Sequence, residues 1–211
     1  MATIVHLMRH GQVANPRHVL YERLPGYHLS ELGVRQAETT SRFFAGRPIT
    51  HLRCSPLERA QESIRPVAAL FPHLDVVTDQ RVIEAGNQLA GQVMGQLGRA
   101  AWQPRNWRLL VNPLRPSWGE AYAEMAVRMT AAILDAAAAA GDGEAVIVSH
   151  QLPIWMARRS AEGRHLWHDP RRRQCSLCSV TSVHVTAGTV VRVDYAEPAA
   201  ELLTSGAHYG F

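Results

Sequence analysis

Arg9-His10-Gly11 closes a short apolar run, and arginine beside histidine in such a place suits phosphate chemistry. The guanidinium is a planar, permanently charged fork for phosphate oxygens, and a neutral imidazole can attack phosphorus. Gly11 lets the backbone turn tightly and come close to a ligand. The tripeptide alone says little, but later stretches give it partners. Ser55-Pro56-Leu57-Glu58-Arg59-Ala60 reads as a helix start: Ser55 as N-cap, Pro56 at the first helical position, Glu58 completing a capping box. Arg59 then falls in the first turn, where the helix dipole and free amides already favour an anion. The apolar run at 145–148 delivers Ser149-His150, and residues 74–83 deliver Glu84.

Positioning these side chains takes a sheet. Residues 4–8 read as a buried strand, and Leu24-Pro25-Gly26-Tyr27 has turn chemistry. Ser30 caps an expected helix over 31–45, followed by a strand near 49–54. A second helix runs from Ser55, with Pro66 expected to kink or end it. A strand within 74–83 precedes a stretch at 85–118 rich in glycine, proline and tryptophan (Trp102, Trp107, Trp118). That stretch reads as an insertion over the sheet edge, a lid of the single domain 1–211, with a short helix at 91–100. Ser117 and Glu120 form a second capping box for a helix reaching residue 140, whose Tyr122, Met125, Met129, Ile133 and Ala137 share one face. After the strand at 145–148 comes a helix holding Ile154 and Trp155, then a hairpin of 179–186 and 189–195 around Ala187-Gly188.

Strands alternating with helices predict an α/β fold, a three-layer αβα sandwich with a mainly parallel sheet and an antiparallel edge. Ligands of such sheets bind outside the carboxyl ends of the strands. Arg9-His10, Arg59, Glu84 and His150 each follow an expected strand, so four stretches bring polar groups to one edge.

The 211 residues are 46% hydrophobic and 19% charged, as in an ordinary globular protein. No apolar stretch approaches the roughly 18 residues that span a bilayer, and the opening lacks a signal-peptide pattern. A cytoplasmic location with no membrane partner is expected. All 22 basic residues are arginine, which excludes a Walker-type phosphate loop and Schiff-base chemistry, both of which need a lysine. The net charge of +4 is scattered, so no nucleic-acid partner is expected. The one dense run, Arg171-Arg172-Arg173, reads as a solvated loop. His165, His168, Cys175 and Cys178 have a metal-like spacing. However, Cys175 and Cys178 fall at an expected strand start, where residues three apart face opposite ways, so no metal centre is expected. Three cysteines make no disulfide framework.

Taken together, Arg9-His10-Gly11, the Ser-Pro-Leu-x-Arg-Ala helix start at 55–60, Glu84 and Val148-Ser149-His150 resemble the histidine phosphatase superfamily, the phosphoglycerate mutase-like proteins. Leu29-Ser30-Glu31-Leu32-Gly33 looks like the family's passage from loop to helix. The resemblance implies that His10 becomes transiently phosphorylated, that Arg9, Arg59 and His150 bind the phosphoryl group, and that Glu84 protonates the leaving oxygen. Asp79 and Glu120 remain rivals for that acid. The resemblance implies neither metal nor cofactor, and a small phosphate ester as the partner. Asn15, Gly26, Asn87 and Gln151 are carried over as substrate contacts. Asn15 follows the signature at a slightly different spacing, and Gln151 stands where the family often has glycine. Hydrolysis of a phosphomonoester is favoured over a phosphoglycerate mutase-type transfer, because lysine is absent and a long insertion of the mutase kind is not evident. A non-catalytic phospho-ligand-binding protein on the same fold is a further alternative. The sequence leaves a homodimer open.

Overall fold

Six apolar runs become β1 (Thr3–Arg9), β2 (Ile49–Cys54), β3 (Val76–Thr78), β4 (Glu144–Ser149), β5 (Val180–Thr186) and β6 (Thr189–Ala196). They are seen in a computed structural model that describes residues 2–88, 90–92 and 119–203. The strands form one sheet in the order β3-β2-β4-β1-β5-β6. β1 to β4 run parallel, and β5 and β6 form the antiparallel edge. Ala187 and Gly188 turn that hairpin with φ of 48° and 74°, as its tight two-residue connection requires.

Among the described residues four helices cover the sheet: α1 (Glu31–Ser41), α2 (Glu58–Leu70), α3 (Tyr122–Ala140) and α4 (Gln151–Ala161). Successive strand residues face opposite sides, and β1 and β4 divide accordingly. Val5, Leu7, Ala145 and Ile147 pack with Met129, Ile133 and Ala136 of α3 and Ile154 of α4. Met8, Val146, Val148 and Leu52 pack with Ala37 of α1 and Ala60, Ile64 and Val67 of α2. Each such side chain contributes on the order of 1.5–3 kcal/mol when buried, and the two cores hold the sheet between helix layers.

Several local expectations shift. Ser30 does cap α1, its Oγ accepting from the Gly33 amide at 3.1 Å, but α1 ends at Ser41 and a single 3-10 turn follows at Arg42–Phe44. α2 begins at Glu58 with Leu57 as N-cap, and the Ser55 side chain, three residues before it, is shared between the Leu57 amide and His150. Pro66 sits inside α2 without ending it. The strand expected over 74–83 is only β3, after which a 3-10 turn at Gln80–Val82 carries the chain toward Glu84. Ala121, with no side-chain cap, precedes α3, since Glu120 is drawn to Arg128 at 2.6 Å. Ser117, the helix expected at 91–100 and Trp102, Trp107 and Trp118 lie outside the described residues. Among the described residues no helix is long and apolar enough to cross a membrane.

Candidate active site

β1 and β4 are adjacent and parallel, and Arg9 pairs with Ser149. The next residue of each strand is a histidine, so His10 and His150 emerge together, their ring centroids 5.1 Å apart. β2 flanks β4 on the other side, and the Ser55 amide bonds the Val148 carbonyl. Ser55 therefore stands beside His150, its Oγ 2.8 Å from Nε2. In the first turn of α2, Arg59 is fully buried. Ser149 Oγ donates to the Val82 carbonyl at 2.7 Å, which ties the 3-10 turn, and hence Glu84, to the same edge. Arg9, His10, Arg59, Glu84 and His150 are thus brought together by strand order.

His10 is held with one ring nitrogen free. Its Nδ1 lies 2.8 Å from the Gly11 carbonyl oxygen, which can only accept, so Nδ1 carries the proton and Nε2 keeps its lone pair. Burial, with Arg59 and Arg9 nearby, depresses its pKa well below the usual histidine value. His150 is likewise kept neutral by burial and the same arginines. Ser55 Oγ accepts from the Leu57 amide at 3.4 Å, and His150 Nε2 is the one acceptor its own proton can reach among the described residues; donation there leaves Nδ1–H as a donor.

Arg9 Nη1 donates to the Cys175 carbonyl at 2.7 Å, and Arg59 Nη2 donates to the Glu22 carbonyl. Among the described residues, Arg9 Nε, Arg59 Nε and Nη1, and His150 Nδ1 are buried with no hydrogen-bond partner. Buried donors without partners are rare, and here four lie around one imidazole. They form a cradle for an oxyanion.

Glu84 stands against this group, its Oε2 4.0 Å from His150 Nδ1. Burial raises its pKa, outweighing the Ala85 amide, Arg59 and Arg9. Its rivals are occupied. Asp79 is only partly buried, and Arg81 and Arg53 hold its pKa down despite that burial; Glu120 pairs with Arg23 and Arg128.

The cavity beside His10 has a volume of about 80 Å³ and is lined by Arg9, His10, Val19, Leu20, Tyr21, Glu22, Glu84, Gln151, Leu152 and Arg173. Gln151 is on its wall. Asn87 is one step removed, its amide donating to Glu22 Oε1 at 3.1 Å. Asn15 and Gly26 are not among the lining residues. Both ends of the Asn15 amide bond the Val19 backbone and close a local turn, and the Gly26 amide donates to Glu58, tying the loop to the start of α2.

Besides the apolar Val19, Leu20 and Leu152, three polar cavity residues escaped the sequence. Tyr21 lies under the Arg59 guanidinium at 4.8 Å. Glu22 is held at φ 36°, a costly conformation for a non-glycine residue; burial and the Glu84 charge raise its pKa to about 7. Arg173 is the third: Arg171 and Arg172 are exposed as a solvated loop would be, but Arg173 turns inward. A signal was present, since Arg173 is the one of the three nearest the buried segment at 175–178. Cys175 and Cys178 lie in the turn before β5, not in the strand. There the His168 ring nitrogens are taken by the Leu166 carbonyl and Arg173. Among the described residues no three His, Cys, Asp or Glu side chains are arranged to hold a metal ion.

The histidine phosphatase superfamily (branch 1) matches residues 5–197, and the chain belongs to that family. It is 48% identical over 199 residues to the uncharacterized protein Rv0525 of Mycobacterium tuberculosis, covering 94% of this chain and 98% of that protein. It is also 38% identical to a 2,3-bisphosphoglycerate-dependent phosphoglycerate mutase of Thermoplasma acidophilum, but over 84 residues only, 39% of this chain and 42% of the mutase. The solved structure of the mycobacterial glucosyl-3-phosphoglycerate phosphatase Rv2419c superposes with a TM-score of 0.74 at 21% identity, covering 92% of this chain and 97% of that one. That likeness confirms the fold.

Proposed function

We propose that the chain hydrolyses a phosphomonoester through a phosphohistidine on His10. The observation that carries this reading is the ring of four unpartnered buried donors around an imidazole whose Nε2 is free. His10 Nε2 attacks phosphorus in line with the leaving oxygen, forming the N–P bond as the P–O bond breaks. Arg9, Arg59 and His150 compensate charge on the equatorial oxygens, which is where phosphoryl transfer needs most help. Glu84, kept protonated by burial, gives its proton to the leaving oxygen. As a carboxylate it then takes a proton from water, the resulting hydroxide attacks phosphorus, and the N–P bond breaks to release phosphate and restore His10. Gln151 lines the leaving-group side, and Asn87 acts through Glu22. The family membership and the overall likeness to a phosphatase support hydrolysis, and the short mutase match leaves transfer as the outcome to exclude. A cytoplasmic site of action fits three buried free thiols.

The test is rapid-quench labelling with a phosphate ester. The native protein should give a burst of acid-labile, alkali-stable phosphoenzyme and then free phosphate, and His10→Ala should give neither. Native-like turnover by His10→Ala would overturn the nucleophile, and isomerisation of 3-phosphoglycerate without phosphate release would make the protein a mutase.

A further inference from the structure

Arg173 is a cation on the cavity wall that the reaction just described does not use. Its Nε donates to His168 Nε2 at 2.8 Å, and its Nη1 lies 3.4 Å from Gln151 Oε1. His168 is itself fixed, because its Nδ1 proton goes to the Leu166 carbonyl at 2.8 Å. Burial lowers its pKa to about 4, so it stays neutral. Both groups that grip Arg173 are therefore uncharged, and among the described residues no carboxylate comes within ion-pairing distance of the guanidinium. Glu84 and Glu22 line the same cavity and act on this charge only from a distance, so the guanidinium, oriented but without an ion-pair partner, is open to an anion that enters. Nη2 and the remaining Nη1 proton are not used by these two bonds, and such an end of the fork can take a carboxylate two-pronged.

The position matters as much as the charge. Arg9, Arg59 and His150 already surround the oxygens of the transferred group. Arg173 stands with Gln151 and Leu152, near enough to Glu84 to act on its charge. Glu84 faces the leaving oxygen, so Arg173 faces what lies beyond it.

We infer that Arg173, held by His168 and Gln151, forms a second anion subsite that binds a carboxylate on the leaving group, making carboxylated phosphomonoesters the preferred substrate class. This rests on the phosphomonoester reading of the site. Two probes with the same three-carbon skeleton test it: 3-phosphoglycerate carries the carboxylate, and glycerol 3-phosphate has a hydroxymethyl group in its place. Calorimetric titration of the His10→Ala protein, which cannot consume them, should show 3-phosphoglycerate bound at least tenfold more tightly. Adding Arg173→Gln should bring that ratio to within twofold. Arg173→Lys, which keeps the charge but loses the fork, should fall between. Equal weakening for both esters would put Arg173 on the transferred phosphoryl group and overturn the inference, as would an unchanged ratio or no binding of either ester. If the glutamine variant does not fold, a ratio near one in the Arg173-containing protein overturns it by itself. The two readings fail separately. Discrimination in binding without phosphate release by the native protein would sink hydrolysis alone, and equally efficient hydrolysis of both esters would sink the subsite alone.

Discussion

Ser55 Oγ lies 2.8 Å from His150 Nε2, across 95 residues of sequence. Its pattern suits a helix cap, yet in the folded chain it fixes which nitrogen of a histidine faces the phosphoryl site. Ser55→Ala leaves Nε2 without that bond and frees the ring to adopt the other tautomer. Losing the outer partner of a functional histidine typically lowers activity about ten- to a hundredfold. Steady-state assays with an aryl phosphate should show that loss mainly in kcat. A fall in melting temperature with kcat intact would reduce Ser55 to packing.

The transferred-phosphoryl side was legible in the sequence for a physical reason. Strands buried on both faces read as continuous apolar runs, so the polar residue that ends each run stands out, and parallel strands of similar length end at one edge. His10 and His150 are neighbours because Arg9 pairs with Ser149. The leaving-group side was not legible. Tyr21, Glu22 and Arg173 reach the cavity from irregular segments whose paths depend on distant contacts, such as the bond from Arg59 to the Glu22 carbonyl. Asn15 and Gly26 sit in the same irregular segment, where Asn15 closes a turn with Val19 and the Gly26 amide reaches Glu58 at the start of α2.

Glu22 and Glu84 face one small cavity, and each makes the other's ionisation harder. Burial and the Glu84 charge together raise Glu22 to about 7, and the electrostatic effect is reciprocal. In the proposed reaction Glu84 gives up a proton, so the rate should fall as pH rises through its pKa. Glu22→Gln removes the neighbouring negative charge, Glu84 ionises more readily, and the alkaline fall in kcat should begin at lower pH. Profiles of kcat against pH for an alkyl phosphate, whose poor leaving group needs the proton, would show it. An upward shift or no shift would mean that the two carboxyls do not communicate.

Arg59 is buried with two nitrogens unpartnered, and its carbonyl partner on Glu22 does not neutralise it. Arg59→Ala should lower kcat/KM on the order of a hundred- to a thousandfold, the usual effect of removing one preorganised oxyanion donor. Arg59→Lys should recover little, since an ammonium cannot reproduce the planar fork. Full recovery by lysine would show that Arg59 supplies only charge.

Gly11 and Gly33 let two backbones touch. A Cβ on Gly33 would fall on the Gln12 carbonyl oxygen, and one on Gly11 would lie 2.5 Å from the Gly33 carbonyl oxygen. These are main-chain atoms, so an added methyl group must push the loop after β1 away from α1. That loop carries the Gly11 carbonyl that orients His10. Gly33→Ala should therefore destabilise the protein by about 1–3 kcal/mol, as overpacking does, and should also slow phosphoenzyme formation. Gly46→Ala separates the two effects: its φ is 76° and a Cβ there meets nothing within 4 Å. It should lower the melting temperature through backbone strain while kcat holds. Equal effects of the two substitutions on kcat would show that the contact between loop and helix does not orient the nucleophile.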